Sequence, residues 1–153
     1  MITTVDLPKV EDDRGNLSFI SELEHVPFEI ERVFWLYDVP GGGERGGHAF
    51  RTHSEFIVAL SGSFDVTAIA PDGTTEVHNL NRSYRGLLIS PLTFRKLSNF
   101  STNSLALVVS SGAYDPGEYI WDPSELADLV RESDMPAGDP PAGDARPESS
   151  PAR

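Results

Sequence analysis

The stretch GGERGGHAFRTHSEFIVALSG, residues 42–62, decides how the rest of the chain is interpreted. Side chains two residues apart on a strand share a face, so His48 and Phe50 point the same way and His53 the opposite way. His48 and Glu55 are the candidate metal ligands here, and two fall short of the three or more protein ligands that a stable zinc or iron site needs. The stretch therefore predicts a site that works without a metal, built around one imidazole.

Short β-type runs separated by turn residues fill the chain from residue 16 to residue 110. Pro71-Asp72-Gly73 lies between two of these runs and is a hairpin signal. Many short strands without intervening helices predict an all-β sandwich or jelly-roll barrel, in which alternate residues face the interior. The predicted strands are residues 17–21, 28–39, 55–60, 63–70, 74–80, 85–90, 93–98 and 104–110.

Arg32 stands out within the run FEIERVFWLY, residues 28–37. Alternation places it on one face with four apolar residues, Phe28, Ile30, Phe34 and Leu36. An arginine among apolar neighbours either pairs with a carboxylate or points into a polar pocket, and the sequence leaves both open.

One short helix is predicted near the end of the folded region. Asp122 is a helix N-cap, Pro123 suits the first helical position, and Leu126, Leu129 and Val130 form an apolar stripe. The following segment is rich in Pro, Gly, Ser and Asp, and such a composition buries too little apolar surface to offset its ordering entropy. We therefore predict one domain over residues 1–132 and a disordered tail over 133–153.

The charge and composition exclude several classes of partner. With 24 acidic and 12 basic residues the net charge is −12, which opposes sequence-independent binding to nucleic acid or to an anionic membrane surface. No apolar run is long enough to cross a bilayer. The chain has no cysteine and no export signal, so the predicted location is the cytoplasm.

Several short segments together resemble the TDP-4-keto-6-deoxy-D-glucose 3,4-ketoisomerase family, small sugar isomerases related to WxcM-like C-terminal domains. The resemblance runs from about residue 13 to about residue 130 with nearly constant spacing. The segments that carry it are residues 13–17 (DRGNL), 27–34 (PFEIERVF), 38–40 (DVP), 45–49 (RGGHA), 61–64 (SGSF), 80–82 (LNR), 99–101 (NFS) and 114–120 (YDPGEYI).

The resemblance implies a cupin of the RmlC-like type, a double-stranded β-helix or jelly roll, that works as a homodimer without a cofactor. It implies a dTDP-linked 4-keto-6-deoxy sugar as substrate and movement of the ketone from C4 to C3 through an enediolate. His48 matches the family's catalytic base. Phe50 stands where the family has a second histidine, and a phenyl ring cannot donate, accept or relay a proton.

The remaining site candidates are polar or aromatic residues near these motifs. Tyr37 is a candidate proton donor, and Phe50 offers a stacking surface for a sugar ring. Glu55 either fixes the tautomer of His48 or is only a polar residue at a strand start. The candidates for binding the diphosphate and the sugar are Arg32, Arg45, Arg82 and Arg95, because guanidinium groups bind phosphates in bidentate fashion. His25, His53 and His78 are expected at the surface.

Two other functions remain open at this level. Loss of the second histidine is also compatible with a non-catalytic protein that binds a sugar nucleotide or a saccharide, with Phe50 as its stacking surface. A related enzyme that epimerises the sugar at C3 would use the same proton abstraction with a different reprotonation. A metal-dependent dioxygenase ranks last, because the ligand set is incomplete.

Overall fold

The computed structural model describes residues 2–134, which form twelve β-strands and one α-helix. Two single-turn 3-10 helices, Pro116–Glu118 and Pro123–Glu125, flank the last strand. The elements are β1 Ile2–Asp6, β2 Lys9–Asp12, β3 Gly15–Ser18, β4 Arg32–Leu36, β5 Arg45–Phe50, β6 Glu55–Ser61, β7 Phe64–Ile69, β8 Thr75–Leu80, β9 Arg85–Ile89, β10 Phe94–Ser98, β11 Leu105–Ser110, β12 Tyr119–Ile120 and α1 Leu126–Asp134.

Two five-stranded antiparallel sheets face each other. The first has the order β1-β9-β6-β11-β4 and the second the order β12-β5-β10-β7-β8, while β2 and β3 form a separate hairpin. The crossovers between non-consecutive strands give a jelly roll, as the sequence predicts. Inward-facing side chains of both sheets form one core, which includes Ile57, Phe64, Leu97 and Val108.

The strand β6 is apolar on both faces, which explains its continuous run of buried residues. Ile57 and Ala59 face the core between the sheets. Phe56 and Val58 face outward, where Val26 and other apolar side chains of residues 20–30 pack against them. The segment before β4 therefore covers part of the outer face of the first sheet.

The predicted strands after residue 54 agree with the observed ones to within one residue at each end. The predicted strand 28–39 is too long, because the observed strand β4 begins only at Arg32 and ends at Leu36. Alternation holds inside β4, but Phe28 and Ile30 pack on the outer cluster whereas Phe34 packs against the inner core. The predicted strand 17–21 is also wrong beyond Ser18, since β3 covers Gly15–Ser18.

The helix is confirmed, with one difference at each end. Asp122 accepts a hydrogen bond from the Ser124 N–H (2.9 Å), and this caps a 3-10 turn that leads into α1 at Leu126. Leu126 is fully buried against Ala49 and Ile120. The helix ends at Asp134, so residues 133 and 134 belong to it and not to the predicted tail; the rest of that prediction lies outside the described residues. Among residues 2–134 no helix has the length and apolarity to span a membrane.

Candidate active site

The strand β5 carries His48 toward the inside of the barrel. His48 is 7% exposed, and Arg95 on β10 lies directly across from it. Gly46, two residues earlier, has a φ of +65°, and a side chain there would collide with the Arg95 guanidinium. Glycine is therefore required at residue 46 both for the backbone conformation and for the space that Arg95 occupies.

Arg95 and Glu55 form a buried ion pair beneath His48. The Arg95 Nε donates to Glu55 Oε2 (2.8 Å), Nη2 donates to Oε1 (2.9 Å), and Nη1 donates to the Gly46 carbonyl (2.7 Å). Both side chains are at most 3% exposed. The bidentate edge of Arg95 is thus taken by Glu55, so Arg95 does not offer this edge to a phosphate as predicted. Glu55 matches neither of the roles considered for it, because its partner is Arg95 and not His48.

His48 is held as a neutral imidazole. Burial, and after it the positive charges of Arg95 and Arg32, lower the pKa of His48 to about 3. Its Nε2 atom is buried without a hydrogen-bond partner in the described structure. Since Glu55 offsets much of the Arg95 charge, we regard burial and Arg32 as the main causes. The arrangement leaves an unprotonated ring nitrogen available to accept a proton.

Arg32 points into the barrel and not toward a carboxylate. Its guanidinium carbon lies 5.1 Å from the centre of the Phe34 ring and 5.7 Å from that of Tyr114. No acidic side chain within residues 2–134 forms an ion pair with it, and its Nε is buried and unpaired. Of the two possibilities left open by the sequence, the ion pair is absent among residues 2–134, and Arg32 lies against two aromatic rings instead. A partly buried cation without an ion-pair partner attracts an anionic ligand.

Aromatic rings form the wall around His48. The ring centre of His48 lies 4.7 Å from that of Phe50, 4.8 Å from Tyr119 and 5.7 Å from Trp121. Tyr119 and Trp121 are stacked, with centres 5.1 Å apart and an interplanar angle of 17°. Phe50 is buried, whereas Trp121 is 66% exposed, so the wall runs from the interior to the surface.

Tyr114, Tyr119 and Trp121 are site residues that the sequence pattern did not predict. Tyr114 and Tyr119 lie in the segment 114–120 that carries the family resemblance, and Trp121 directly follows it. The local signal is the alternation around Ile120, which packs outward near Leu126 while Tyr119 and Trp121 point to His48. The pairing of β12 with β5 is what brings them there, with Tyr119 directly across from Phe50.

His53 lies inside the protein, so the prediction of a surface role is wrong. The strand β5 ends at Phe50, and the bend that follows breaks the alternation on which the prediction depended. The His53 side chain is 15% exposed, and its ring centre lies 5.5 Å from that of Phe50. Its Nε2 is 3.8 Å from Glu118 Oε2, and its Nδ1 is buried without a partner. Phe50 therefore lies between His53 and Tyr119, in ring contact with both.

Three other predicted residues lie elsewhere on the molecule. Tyr37 directly follows the end of β4 and is 63% exposed. Arg45 is exposed and lines a shallow cavity of about 190 Å³ with Tyr37. Arg82 lines a separate polar cavity of about 260 Å³ and donates to the Asn81 carbonyl (2.9 Å). None of the three contacts the His48 ring.

The other two histidines have local roles. His25 Nδ1 accepts from the Ser21 N–H (2.8 Å) within a turn, and its side chain is only 11% exposed, so the prediction of a surface role is wrong for His25 as well. His78 lies on β8 and its Nε2 is 3.0 Å from Glu76 Oε2. Within residues 2–134, no group of three or more His, Cys, Asp or Glu side chains is placed to hold a metal ion.

The comparisons with known proteins agree with this geometry. Residues 1–131 match the family model described as "FdtA: WxcM-like, C-terminal". The chain belongs to this family. It is 32% identical over 117 residues to the TDP-4-oxo-6-deoxy-alpha-D-glucose-3,4-oxoisomerase of Aneurinibacillus thermoaerophilus. The matched residues cover 76% of this chain and 83% of that protein.

Solved structures of family members superpose on the jelly roll. QdtA, a sugar 3,4-ketoisomerase from Thermoanaerobacterium thermosaccharolyticum solved in complex with TDP, matches with a TM-score of 0.81 and 26% identity over 88% of this chain and 97% of QdtA. WlaRB, a TDP-quinovose 3,4-ketoisomerase from Campylobacter jejuni, matches with a TM-score of 0.79 and 31% identity over 83% of this chain and 97% of WlaRB. The predicted family and the RmlC-like cupin fold are confirmed.

Proposed function

We propose that the protein is an isomerase that moves the carbonyl group of a TDP-linked 4-keto-6-deoxyhexose from C4 to C3. The observation that carries this proposal is the buried, neutral imidazole of His48, whose Nε2 has no partner in the described structure. The Aneurinibacillus relative is a TDP-4-oxo-6-deoxyglucose oxoisomerase, and a variant of QdtA was solved in complex with TDP-4-keto-6-deoxyglucose. The reaction belongs to deoxysugar biosynthesis.

In the proposed reaction His48 removes the proton from C3 of the sugar and an enediolate forms. The same imidazole then returns a proton at C4, which leaves the carbonyl at C3. A neutral base in contact with the substrate is the first requirement for such a transfer. Arg32 supplies positive charge near His48, where it stabilises the enediolate oxygen or the diphosphate. An anionic substrate would also offset the charge of Arg32 and raise the pKa of His48 toward its ordinary value.

The substrate-binding part of the proposal rests on Arg32 and on the aromatic wall. Trp121 is 66% exposed and offers an apolar face against which a sugar or a base can stack, whereas Phe50 is buried in contact with His53 and Tyr119. Arg45 and Arg82 are exposed and remain candidates only for the more distant parts of the ligand. Tyr37 is left out, because it faces outward.

We propose a homodimer that uses the outer face of the first sheet. Phe19, Val33, Leu60 and Leu107 line an apolar depression of about 460 Å³, and Trp35 on the same face is 57% exposed. A contiguous exposed apolar surface of this kind is typical of a protein interface. We also propose that the protein is located in the cytoplasm, where disulfide bonds are rare, since its sequence contains no cysteine.

Incubation of the protein with TDP-4-keto-6-deoxyglucose in deuterium oxide tests the function. We expect NMR to show the 3-keto product and deuterium on the ring carbons with the wild-type protein, and neither with His48→Asn. The matched control is His78→Asn, because His78 lies on β8, the edge strand of the second sheet. This variant should keep the isomerisation rate within about threefold of the wild-type rate. A wild-type protein that forms no product and exchanges no deuterium refutes the proposal.

A sugar-nucleotide binding protein without activity is the second candidate. Phe50 favours it, because the phenyl ring lies 4.7 Å from His48 at the position where the family has a second histidine. Calorimetric binding of the TDP-sugar without isotope exchange would support this alternative. A product that keeps its carbonyl at C4 but is inverted at C3 would instead identify an epimerase.

A further inference from the structure

The proposed reaction needs a second proton carrier besides His48. Converting C3(H)(OH)–C4=O into C3=O–C4(H)(OH) moves one proton between the two carbons and another between the two oxygens. His48 accounts for the transfer between carbons. Phe50, at the position of the second family histidine, carries no proton-transferring group. The inference below rests on the proposed function and asks which residue moves the proton between the oxygens.

Tyr119 lies in direct contact with both His48 and Phe50. In the pairing of β12 with β5, Tyr119 is directly opposite Phe50, so both side chains are on the same side of the sheet as His48. The Tyr119 ring centre is 4.8 Å from that of His48 and 4.8 Å from that of Phe50. Stacking against Trp121, with ring centres 5.1 Å apart, holds the ring in this orientation. Tyr119 is half-buried, so a ligand beside His48 can reach it.

The other candidate proton carriers are less suitably placed. Within the described residues the rings in contact with His48 are Phe50, Tyr119 and Trp121, and of these only a phenol both donates and accepts a proton. His53 packs on Phe50 and makes no ring contact with His48. Glu55 is engaged by Arg95, and its charge is needed to neutralise that guanidinium.

We propose that Tyr119 is a catalytic residue that transfers the proton between the C4 and C3 oxygens. As His48 takes the C3 proton, the Tyr119 hydroxyl gives its proton to O4, and the enediol forms. The phenolate then accepts the proton of the C3 hydroxyl as the C3 carbonyl forms, while the imidazolium returns its proton to C4. Both residues end in their starting states, and no oxidant or reductant is consumed.

Substitution of Tyr119 by Phe removes the hydroxyl and keeps the ring that packs on His48 and Trp121. We expect kcat for the TDP-4-keto-6-deoxyglucose reaction to fall about 100-fold, the lower range for loss of an acid–base group, with KM within about threefold. Tyr84→Phe is the matched control, since the Tyr84 ring lies 4.5 Å from Lys9 Nζ and makes no ring contact with His48. Its kcat should stay within about threefold.

Two further variants separate proton transfer from a structural role. Tyr119→His keeps a proton-carrying ring and should retain at least about tenfold more activity than Tyr119→Phe. Phe50→His in the Tyr119→Phe background restores an imidazole beside His48, and it should recover at least about tenfold in kcat. A structural role for the hydroxyl predicts neither recovery. Thermal melting and TDP binding of each variant show that it is folded and competent to bind.

The outcomes separate this inference from the proposed function. If the wild-type protein is active and Tyr119→Phe keeps kcat within about threefold, the role of Tyr119 is refuted while the isomerase proposal stands. A rise in KM alone, or loss of kcat that neither imidazole variant recovers, also refutes it. A wild-type protein without isotope exchange or product refutes both proposals together.

Discussion

Two regions of the second sheet treat buried side chains in different ways. In the first region, Phe64, Val66 and Leu97 pack into an apolar cluster. In the second region, Arg95 and His48 lie side by side on neighbouring strands. Arg95 is paired there with Glu55 and Gly46, whereas His48 and the nearby Arg32 each keep a buried nitrogen without a partner.

This difference shows how to recognise the working part of the site. Buried polar groups are normally paired, because an unpaired one costs free energy of folding. The Arg95–Glu55 pair satisfies that rule and stabilises the local structure. His48, Arg32 and His53 each keep a buried nitrogen that violates it. We propose that a ligand contacts the first two, whereas the ring of His53 packs against Phe50.

The largest expected effect on stability comes from breaking the buried ion pair between Arg95 and Glu55. Glu55→Gln leaves the Arg95 guanidinium buried without its counter-charge, and we expect a loss of about 3–5 kcal/mol in the free energy of unfolding, measured by urea denaturation. The control is Glu76→Gln, whose carboxylate pairs with His78 on a more exposed strand and should cost under about 1 kcal/mol. Equal effects from the two variants would mean that burial does not distinguish the two pairs.

An intermediate effect on stability is expected from the protonation of the unpaired His48 as the pH falls. The pKa of His48 is lowered in the folded state to about 3 from an ordinary value of 6.5. The unfolded chain therefore binds a proton first as the pH falls. The stability associated with the neutral His48 is complete above pH 6.5 and is lost as the pH falls from 6.5 toward 3, by at most about 1.4 kcal/mol per pH unit.

The comparison of the wild type with His48→Asn isolates this contribution. Other groups titrate in both proteins and cancel in the comparison. The difference in unfolding free energy between the wild type and His48→Asn should therefore be constant above pH 6.5. Below pH 6.5 the wild type should lose more stability than the variant. The kcat/KM of the wild type should likewise show no loss from His48 protonation between about pH 8 and pH 5. A difference that does not change with pH would show that the pKa of His48 is not lowered.

The smallest effect is expected at His53. Its ring lies behind Phe50 with a buried, unpaired Nδ1, so His53→Leu removes an unsatisfied polar atom and should change the unfolding free energy by less than about 1 kcal/mol. The isomerase kcat should stay within about threefold. A much larger loss of kcat would place His53, and not Tyr119, on the proton path.

Sequence periodicity predicted the strands after residue 54 closely, because alternation is a local property of an extended chain. It also placed His48 and Phe50 on one face, and their rings are in contact as expected. The same rule failed at His53 and at Phe28, where the strand had already ended or had not yet begun. Alternation holds only within a strand, and strand ends are the least certain part of a sequence-based prediction.

The sequence by itself determined the jelly-roll class, the hairpin at Pro71-Asp72-Gly73, the capped C-terminal helix and the inward direction of His48. Only the tertiary structure decided that Arg95 pairs with Glu55, that the His53 side chain is largely buried and that Tyr119 lies opposite Phe50. The physical reason is distance along the chain. Arg95 and Glu55 are 40 residues apart, and Tyr119 meets Phe50 through pairing between β12 and β5, so no local pattern contains either contact.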